Sequence, residues 1–277
     1  MLKSYFKKAQ KEKWAIGQFN FSTLDQLKSI LETSSKLKSP VILGTSQGEA
    51  SFFGIEEAGI LVSFYRKKKE PFYLNLDHGD NLETIKRAID AGYDMIHFDG
   101  SKMNIEDNIK ETIKVLKYAK KKNVLVEGEL GRIFGNSGLN KGAIKQKDFI
   151  SFKEVDYFIK KTKVDLLALA IGNVHGIYSK MPSLNFELLK EVQKIGVPIV
   201  LHGGSGIPEK EIKKTIKYGV AKINVNTELR VAWKNSIKKE LEKNQFAPYK
   251  ILKKSKENVS LKVEEKIKIF GSKNKKS

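Results

Sequence analysis

Eight short apolar runs recur along the chain, and in most of the gaps between them apolar residues return every three or four positions. The runs are AIGQFNF (15–21), PVILGTS (40–46), FYLNLDH (72–78), MIHFDG (95–100), VLVEGEL (124–130), DLLALAIG (165–172), PIVLHG (198–203) and KINVNT (222–227). Most are unbroken rather than alternating, the pattern of strands buried on both faces of a parallel sheet. The intervening stretches have helical period. Leu24, Leu27, Ile30 and Leu31 share a face, with Ser22 or Thr23 as N-cap. Similar stripes are Leu82, Ile85, Ala88 and Ile89; Ile109, Ile113, Leu116 and Tyr118; Val155, Phe158 and Ile159; and Phe186, Leu189 and Val192. Pro208 opens a helix with Ile212 and Ile216 inward. Gly92, Gly196 and Gly219 stand where helix C-caps belong.

Strand and helix in alternation specify an α/β fold, either a doubly wound sheet or a barrel. Eight units in about 230 residues favour a (β/α)8 TIM barrel. A dinucleotide-binding sheet would need a GxGxxG turn after its first strand, and GQFNFST does not supply one. The reading is one domain over residues 1–277: a barrel to about 244 and an extension over 245–277. In that extension KVEEKIKIFG forms a last helix and GSKNKKS frays.

Composition narrows the chemistry. With no cysteine, disulfides, thiolate metal sites and cysteine nucleophiles are excluded, so a transition-metal site must use His, Asp and Glu. No run reaches the ~18 apolar residues of a membrane span, and the charged start MLKSYFKKAQKEKW lacks the apolar run of a signal peptide. The expected place is the cytoplasm. The net charge of +20 raises the question of nucleic acid, yet only four of the 52 basic residues are arginine. Proteins that read bases or grip phosphates favour arginine. The lysines are spread along helices and tail, so they read as a solvated surface that attracts phosphorylated metabolites, with no specific nucleic-acid partner.

The polar residues fall where a barrel does its chemistry, at the C-terminal strand ends. Three of the four histidines stand there: His78, His175 and His202. Asp77, Asp99, Glu129, Asn20 and Asn224 join them around one mouth, while His97 lies deeper and reads as structural. Glu127 and Glu129 alternate on one strand and face the same side, which is costly inside a barrel unless a cation offsets it. Three neutral imidazoles with an open position make a catalytic zinc site, and Asp77 beside a ligand can act as acid or base. HGGSGIPEKEI is a strand end, a glycine-rich turn and a helix start. Its amides and the Ser205 hydroxyl can cradle a phosphate, with Asn224, Asn226 and Thr227 of NVNTEL beside it.

These motifs resemble the class II, metal-dependent fructose-bisphosphate aldolases. The likeness runs from about residue 13 to 277, with LDHG, GNVHG and LHGGSG its most specific parts and AIGQFNF, SPVILGTSQG, FDGSKMNIEDNI, VEGELG and AKINVNTEL in family order. The tagatose-bisphosphate aldolases share most of them. The resemblance implies zinc, or another divalent transition metal, on His78, His175 and His202. Asp77 would transfer the proton between aldehyde oxygen and hydroxyl, and the metal would stabilise the enediolate left by C–C cleavage. It places Asp99 and Glu129 around a second, inner metal position. Gly176, Gly203, Ser205, Asn224, Asn226 and Thr227 would hold the dihydroxyacetone phosphate end beside a monovalent cation. Asn20 and Ser46 would line the mouth, and Lys256 would meet the far phosphate. A homodimer or homotetramer is implied.

Three departures from the family bear on rate and substrate. The loop RIFGNSGLNKG lacks the family's proton-shuttling glutamate, with Asp148 the next carboxylate. Lys256 stands for an arginine, without the bidentate fork. Lys102 stands for a histidine. The leading expectation is therefore an aldolase for fructose 1,6-bisphosphate. Behind it come an aldolase for tagatose bisphosphate or a deoxy-phosphogluconate, and a metal-binding barrel with weakened catalysis.

Overall fold

A computed structural model of the protein describes residues 1–67, 70–133, 139–140, 150–178 and 183–276. Strands β1 (Ile16–Asn20), β2 (Val41–Ser46), β3 (Phe72–Gly79), β4 (Met95–Phe98), β5 (Leu125–Leu130), β7 (Leu166–Leu169), β9 (Ile199–Leu201) and β10 (Val220–Val225) close into a parallel barrel in that order. Each corresponds to one of the eight apolar runs. Two short strands outside the barrel, β6 (Leu139–Asn140) and β8 (Ile177–Tyr178), pair with each other in parallel.

The helices α2 (Leu24–Lys36), α5 (Leu82–Asp90), α6 (Ile105–Lys120), α7 (Phe152–Thr162), α8 (Phe186–Gln193), α9 (Glu209–Lys217) and α10 (Thr227–Leu241) return the chain between strands. Their buried faces follow the predicted stripes, with two exceptions. Leu24 is exposed, because it sits in the first turn of α2 at its outer edge. Thr23 is the N-cap residue of α2 but makes no side-chain cap, and Gln26 Oε1 instead accepts from Ser22 N and Thr23 Oγ1. Gly92, Gly196 and Gly219 all take positive φ just past helix ends.

Three helical regions escaped the periodicity. The charged start forms α1 (Leu2–Glu12), whose Leu2, Tyr5, Phe6 and Ala9 are buried. They pack with Trp14 against inward residues near the starts of the strands, among them Ile16, Ile42, Met95, Leu166 and Ala221. Helix α1 thus closes the N-terminal end of the barrel with an apolar floor. Each aromatic buried there contributes about 2–3 kcal/mol. After β2 come α3 (Gln47–Phe53) and α4 (Ile55–Arg66). The C-terminal helix α11 (Pro248–Ile269) is longer than expected, and Val259, Val263 and Ile267 join the core.

The expected fraying of GSKNKKS is corrected by the structure. Phe270 and Ser272 are buried, Ala15 N donates to Phe270 O, and Asn274 N and Lys276 N donate to Leu37 O and Lys38 O. These bonds tie residues 270–276 to the barrel's N-terminal side. The boundary placed near 244 falls in the turn between α10 and α11. Among the described residues no helix is long and apolar enough to cross a membrane.

Candidate active site

The mouth of the barrel begins with a backbone irregularity. Along a regular strand neighbouring side chains point to opposite faces, so Asp77 and His78 could not both face inward. The β3–β4 register shifts between Leu76 and Gly79, and His78 takes φ 55°. This left-handed conformation costs a non-glycine residue about 1–3 kcal/mol. It turns both side chains into the mouth. His97 holds the irregularity in place: its Nδ1 accepts from the backbone N–H of His78 at 3.1 Å. The sequence reading of His97 is structural; besides making that bond, its ring stands with Asp77, His78 and His202 in a group whose ligand atoms lie within 4.8 Å of one another. Gly44 makes room opposite, since a Cβ there would lie 2.1 Å from Asn20 Oδ1.

His78, His175 and His202 surround one point. Ring centroids are 4.8 Å apart for His78–His175, 4.8 Å for His78–His202 and 5.9 Å for His175–His202. Imidazoles on one tetrahedral zinc, at ~2.0–2.1 Å per bond, have nitrogens about 3.3 Å apart and centroids about 5 Å apart. His78 Nε2 lies 3.2 Å from His202 Nδ1. The remaining nitrogens are held from behind: His78 Nδ1 meets Asp99 Oδ2 at 2.9 Å, and His202 Nε2 meets Glu127 Oε1 at 2.7 Å. Carboxylates behind the rings of His78 and His202, with the other nitrogen of each turned toward the shared point, are the usual support of imidazole ligands. The donor set fits a divalent transition metal.

A second group lies deeper. His78, Asp99 and Glu129 bring ligand atoms within 4.8 Å of one another. Glu129 Oε2 is 3.0 Å from His97 Nε2 without hydrogen-bond alignment, and both atoms are buried with no hydrogen-bond partner among the described residues. An orphaned carboxylate oxygen at such a place fits a cation better than a finished packing arrangement. Glu127, by contrast, has its cation in the chain. Lys222 is completely buried, and its Nζ donates to Glu127 Oε2 at 2.7 Å and to Asn224 Oδ1 at 2.8 Å. The chain alone offered little to find this lysine, because KINVNT looks like any strand with a surface lysine at its start.

Asp77 is buried and doubly anchored. Asn20 Nδ2 donates to its Oδ2 and Asn224 Nδ2 to its Oδ1, both at 3.0 Å. Burial opposes its ionisation, but the imidazoles of His78, His202 and His97 outweigh burial and hold the carboxyl well below its usual range. Burial likewise disfavours a charged His78, and here Asp77, Asp99 and Glu129 prevail, raising its pKa. For His175 burial and the neighbouring imidazoles act together and push the pKa down to about 3. Burial and His97 lower that of His202.

The mouth opens into a cavity of about 480 Å³ that reaches Ser46, Asp77, His78, Asp99, His175 and His202. Gly176, Gly203, Ser205, Asn224, Asn226 and Thr227 line the same cavity. The turn after β9 lies tight on β10. A Cβ on Gly204 would sit 2.6 Å from Ile223 Cγ2, and Gly204 N donates to Asn224 O. Ser205 Oγ accepts from Glu228 N at the start of α10, so the turn and that helix N-terminus face one space.

The structure therefore brings together the expected residues except Lys256; Asn20 and Glu129 do not line the cavity itself but join the cluster behind it, through Asp77 and through His78 and Asp99. Lys256 lies on α11, pairs with Glu32 and faces a groove beside α2, away from the mouth. This surface pair on the outer helices is not among the residues that line the mouth. Sequence reasoning missed Arg132, Arg230 and Glu49. Arg132 and Arg230 line the cavity together with Lys102. Glu49 is buried, caps α3 with Ser46, and accepts from Asn20, Asn226 and Arg230. The signal for the arginines was present: in a chain with so few, two follow strands at the mouth. The loop that lacks the shuttling glutamate lies, with Asp148, outside the described residues apart from Arg132, Ile133 and residues 139–140.

Comparison with known proteins gives a consistent answer. Residues 1–275 match the family model described as fructose-bisphosphate aldolase class-II. The chain is 37% identical over 96% of its length to 6-phospho-5-dehydro-2-deoxy-D-gluconate aldolase of Shouchella clausii, covering 92% of that protein. It is 35% identical over 98% of its length to fructose-bisphosphate aldolase of Geobacillus stearothermophilus, covering 96% of it. Among solved structures, the YdjI aldolase from Escherichia coli K12 superposes with a TM-score of 0.86 at 29% identity, over 100% of this chain and 99% of that one.

Proposed function

The chain belongs to the class II fructose-bisphosphate aldolase family, and from that membership we propose that it is a zinc enzyme cleaving fructose 1,6-bisphosphate reversibly into dihydroxyacetone phosphate and glyceraldehyde 3-phosphate. The observation that carries this reading is the convergence of His78, His175 and His202 around one point beside the ionised Asp77. A divalent ion on these ligands, when bound, draws electron density from the substrate carbonyl.

The chain's own residues do the rest. Asp77 stands as a carboxylate fixed by Asn20 and Asn224. In cleavage it takes the proton of the C4 hydroxyl. The C3–C4 bond then breaks, its electron pair stays on C3, and C4 leaves as the aldehyde. In condensation Asp77 returns that proton to the aldehyde oxygen. Gly203, Ser205, Asn226 and Thr227, with Gly176 and Asn224 alongside, hold the phosphate of the dihydroxyacetone half at the N-terminus of α10, next to a monovalent cation. Lys102, Arg132 and Arg230 supply positive charge for the other phosphate, and Asn20 and Ser46 orient the hydroxyls between. His78, Asp99 and Glu129 offer an inner cation position. The enzyme works in the cytoplasm as a homodimer or homotetramer, which light scattering would establish.

A second reading, an aldolase for 6-phospho-5-dehydro-2-deoxygluconate, is favoured by the 37% identical relative of that name. Cleavage of the two substrates and of tagatose 1,6-bisphosphate should be measured with metal analysis on the same sample, before and after chelation. We expect fructose 1,6-bisphosphate to be the best substrate, one equivalent of zinc, and loss of turnover on chelation. The absence of chelator-sensitive cleavage of fructose 1,6-bisphosphate would sink the reading.

A further inference from the structure

Lys222 is the one lysine buried inside the barrel among the described residues, and it touches two arms of the site at once. One arm runs through Glu127. Lys222 Nζ holds Glu127 Oε2 at 2.7 Å, and Glu127 Oε1 accepts from His202 Nε2 at 2.7 Å. With its proton committed to Glu127, His202 has a bare Nδ1 directed at His78 Nε2. The other arm runs through Asn224. Lys222 has no acceptor lone pair, so the atom 2.8 Å from its Nζ must be the amide oxygen of Asn224. That fixes the amide the right way round, and the amide nitrogen then donates to Asp77 Oδ1. Without the lysine the Asn224 amide loses the donor on its oxygen and is held from the Asp77 side alone, so its position against the carboxylate is less firmly set.

We propose that Lys222 is a positioning residue for the aldol reaction: from the barrel interior it sets both the tautomer of His202 and the orientation of Asn224 against Asp77. It touches no substrate. A buried ion pair replaced by apolar groups is often neutral or stabilising, so packing alone gives no reason for this lysine. Its three N–H donors in one direction, on a flexible stem, suit a residue that must join two acceptors within one layer. The proposal rests on the aldolase reading for its kinetic arm only; the tautomer and the metal affinity are read without turnover.

The test uses Lys222→Met, which keeps the stem and removes the donors, and the charge-balanced pair Lys222→Met with Glu127→Gln, which leaves no unpaired buried carboxylate. With only four histidines, nitrogen NMR of the metal-free full-length protein can assign the His202 tautomer. For Lys222→Met we expect a changed Nδ1/Nε2 proton distribution on His202 and zinc affinity weaker by about 10-fold or more, the scale of lost outer support. We also expect kcat reduced by about 10-fold or more with KM within about threefold. A folded Lys222→Met with the parent tautomer and with zinc affinity and kcat within threefold of the parent overturns the proposal. If that variant does not fold, the paired variant decides. Asn224 still lacks its anchor on the oxygen side there, so kcat should remain about 10-fold down, and parental kcat overturns the proposal. Failure of the parent itself to cleave the bisphosphate would count against the aldolase reading instead, and the tautomer and zinc measurements would still judge Lys222.

Discussion

The two ends of this barrel are built from the same eight strands and obey opposite rules. At the N-terminal end the inward positions are Ile16, Ile42, Met95, Leu166 and Ala221, and α1 lays Leu2, Tyr5 and Phe6 across them. At the C-terminal end the inward positions are Asn20, Asp77, Glu129, His202 and Asn224, joined by a histidine in left-handed conformation. Between them lies a layer of fully buried polar side chains: Gln18, Asn75, His97, Glu127 and Lys222. The floor gains free energy from every residue it buries. The mouth spends part of that gain on strain, desolvated charge and crowded imidazoles, and receives in return fixed groups around a cation and a proton acceptor. Stability and chemistry are thus separated along the strand axis, and substitutions at the two ends should have separable effects.

The largest expected effects are at the mouth. Asp77→Asn keeps the shape but removes the proposed proton acceptor, and its amide nitrogen faces one of the two donors, Asn20 Nδ2 or Asn224 Nδ2, so one of the two hydrogen bonds is lost. Turnover should fall toward the upper end of the roughly 10²–10⁴-fold contribution of positioned general acid–base groups, with metal content near the parental value and a stability loss of about 1–3 kcal/mol from the one hydrogen bond lost. His202→Ala should abolish turnover at least as completely and remove the bound divalent metal, read by metal analysis after gel filtration. If either variant lost stability as severely as a floor variant, the separation between the two ends would be wrong.

The complementary break is Phe6→Ala. Removing a fully buried ring from the floor should cost about 3–5 kcal/mol in denaturant unfolding. The protein that remains folded should keep parental kcat/KM and zinc affinity. A large drop in kcat/KM at a temperature where the variant is fully folded would mean that floor and mouth are mechanically coupled through the polar layer.

How much of this was legible in the chain differs between the two ends for the same reason. The strands announced themselves because both faces are buried, and the mouth because His, Asp and Asn at the ends of apolar runs are hard to explain by packing. The floor helix was obscured by its charges: KSYFKKAQKEK reads as solvated until Leu2, Tyr5, Phe6 and Ala9 are seen to lie on one face. Lys222 was obscured because burial of a lysine depends on a carboxylate 95 residues away, Glu127. The irregularity at His78 was not readable either, since a register shift is a property of two strands together. Glu49 and Arg230 come from helices after different strands, and only closure of the barrel makes them neighbours.

The smallest effect concerns pH in the metal-free protein. His175 is held neutral by burial and by the imidazoles beside it, with its pKa pushed down to about 3 against an ordinary value near 6.5. Between those two values the unfolded chain binds a proton that the folded chain refuses. A depressed folded pKa therefore gives stability that is present above about 6.5 and is lost as pH falls toward 3, by at most about 1.4 kcal/mol per pH unit. His78 and His97 are shifted the other way, so the total pH profile mixes signs. The difference between parent and His175→Asn isolates one residue. His175→Asn keeps a polar side chain of similar bulk beside the other three rings, which limits the change in their burial. Chelated parent should lose stability relative to chelated variant as pH is lowered from 7 to 5 in matched urea titrations. Parallel profiles would show that His175 is solvated like a surface imidazole, and the contrast between a dry floor and a mouth dry enough to keep His175 neutral would fail.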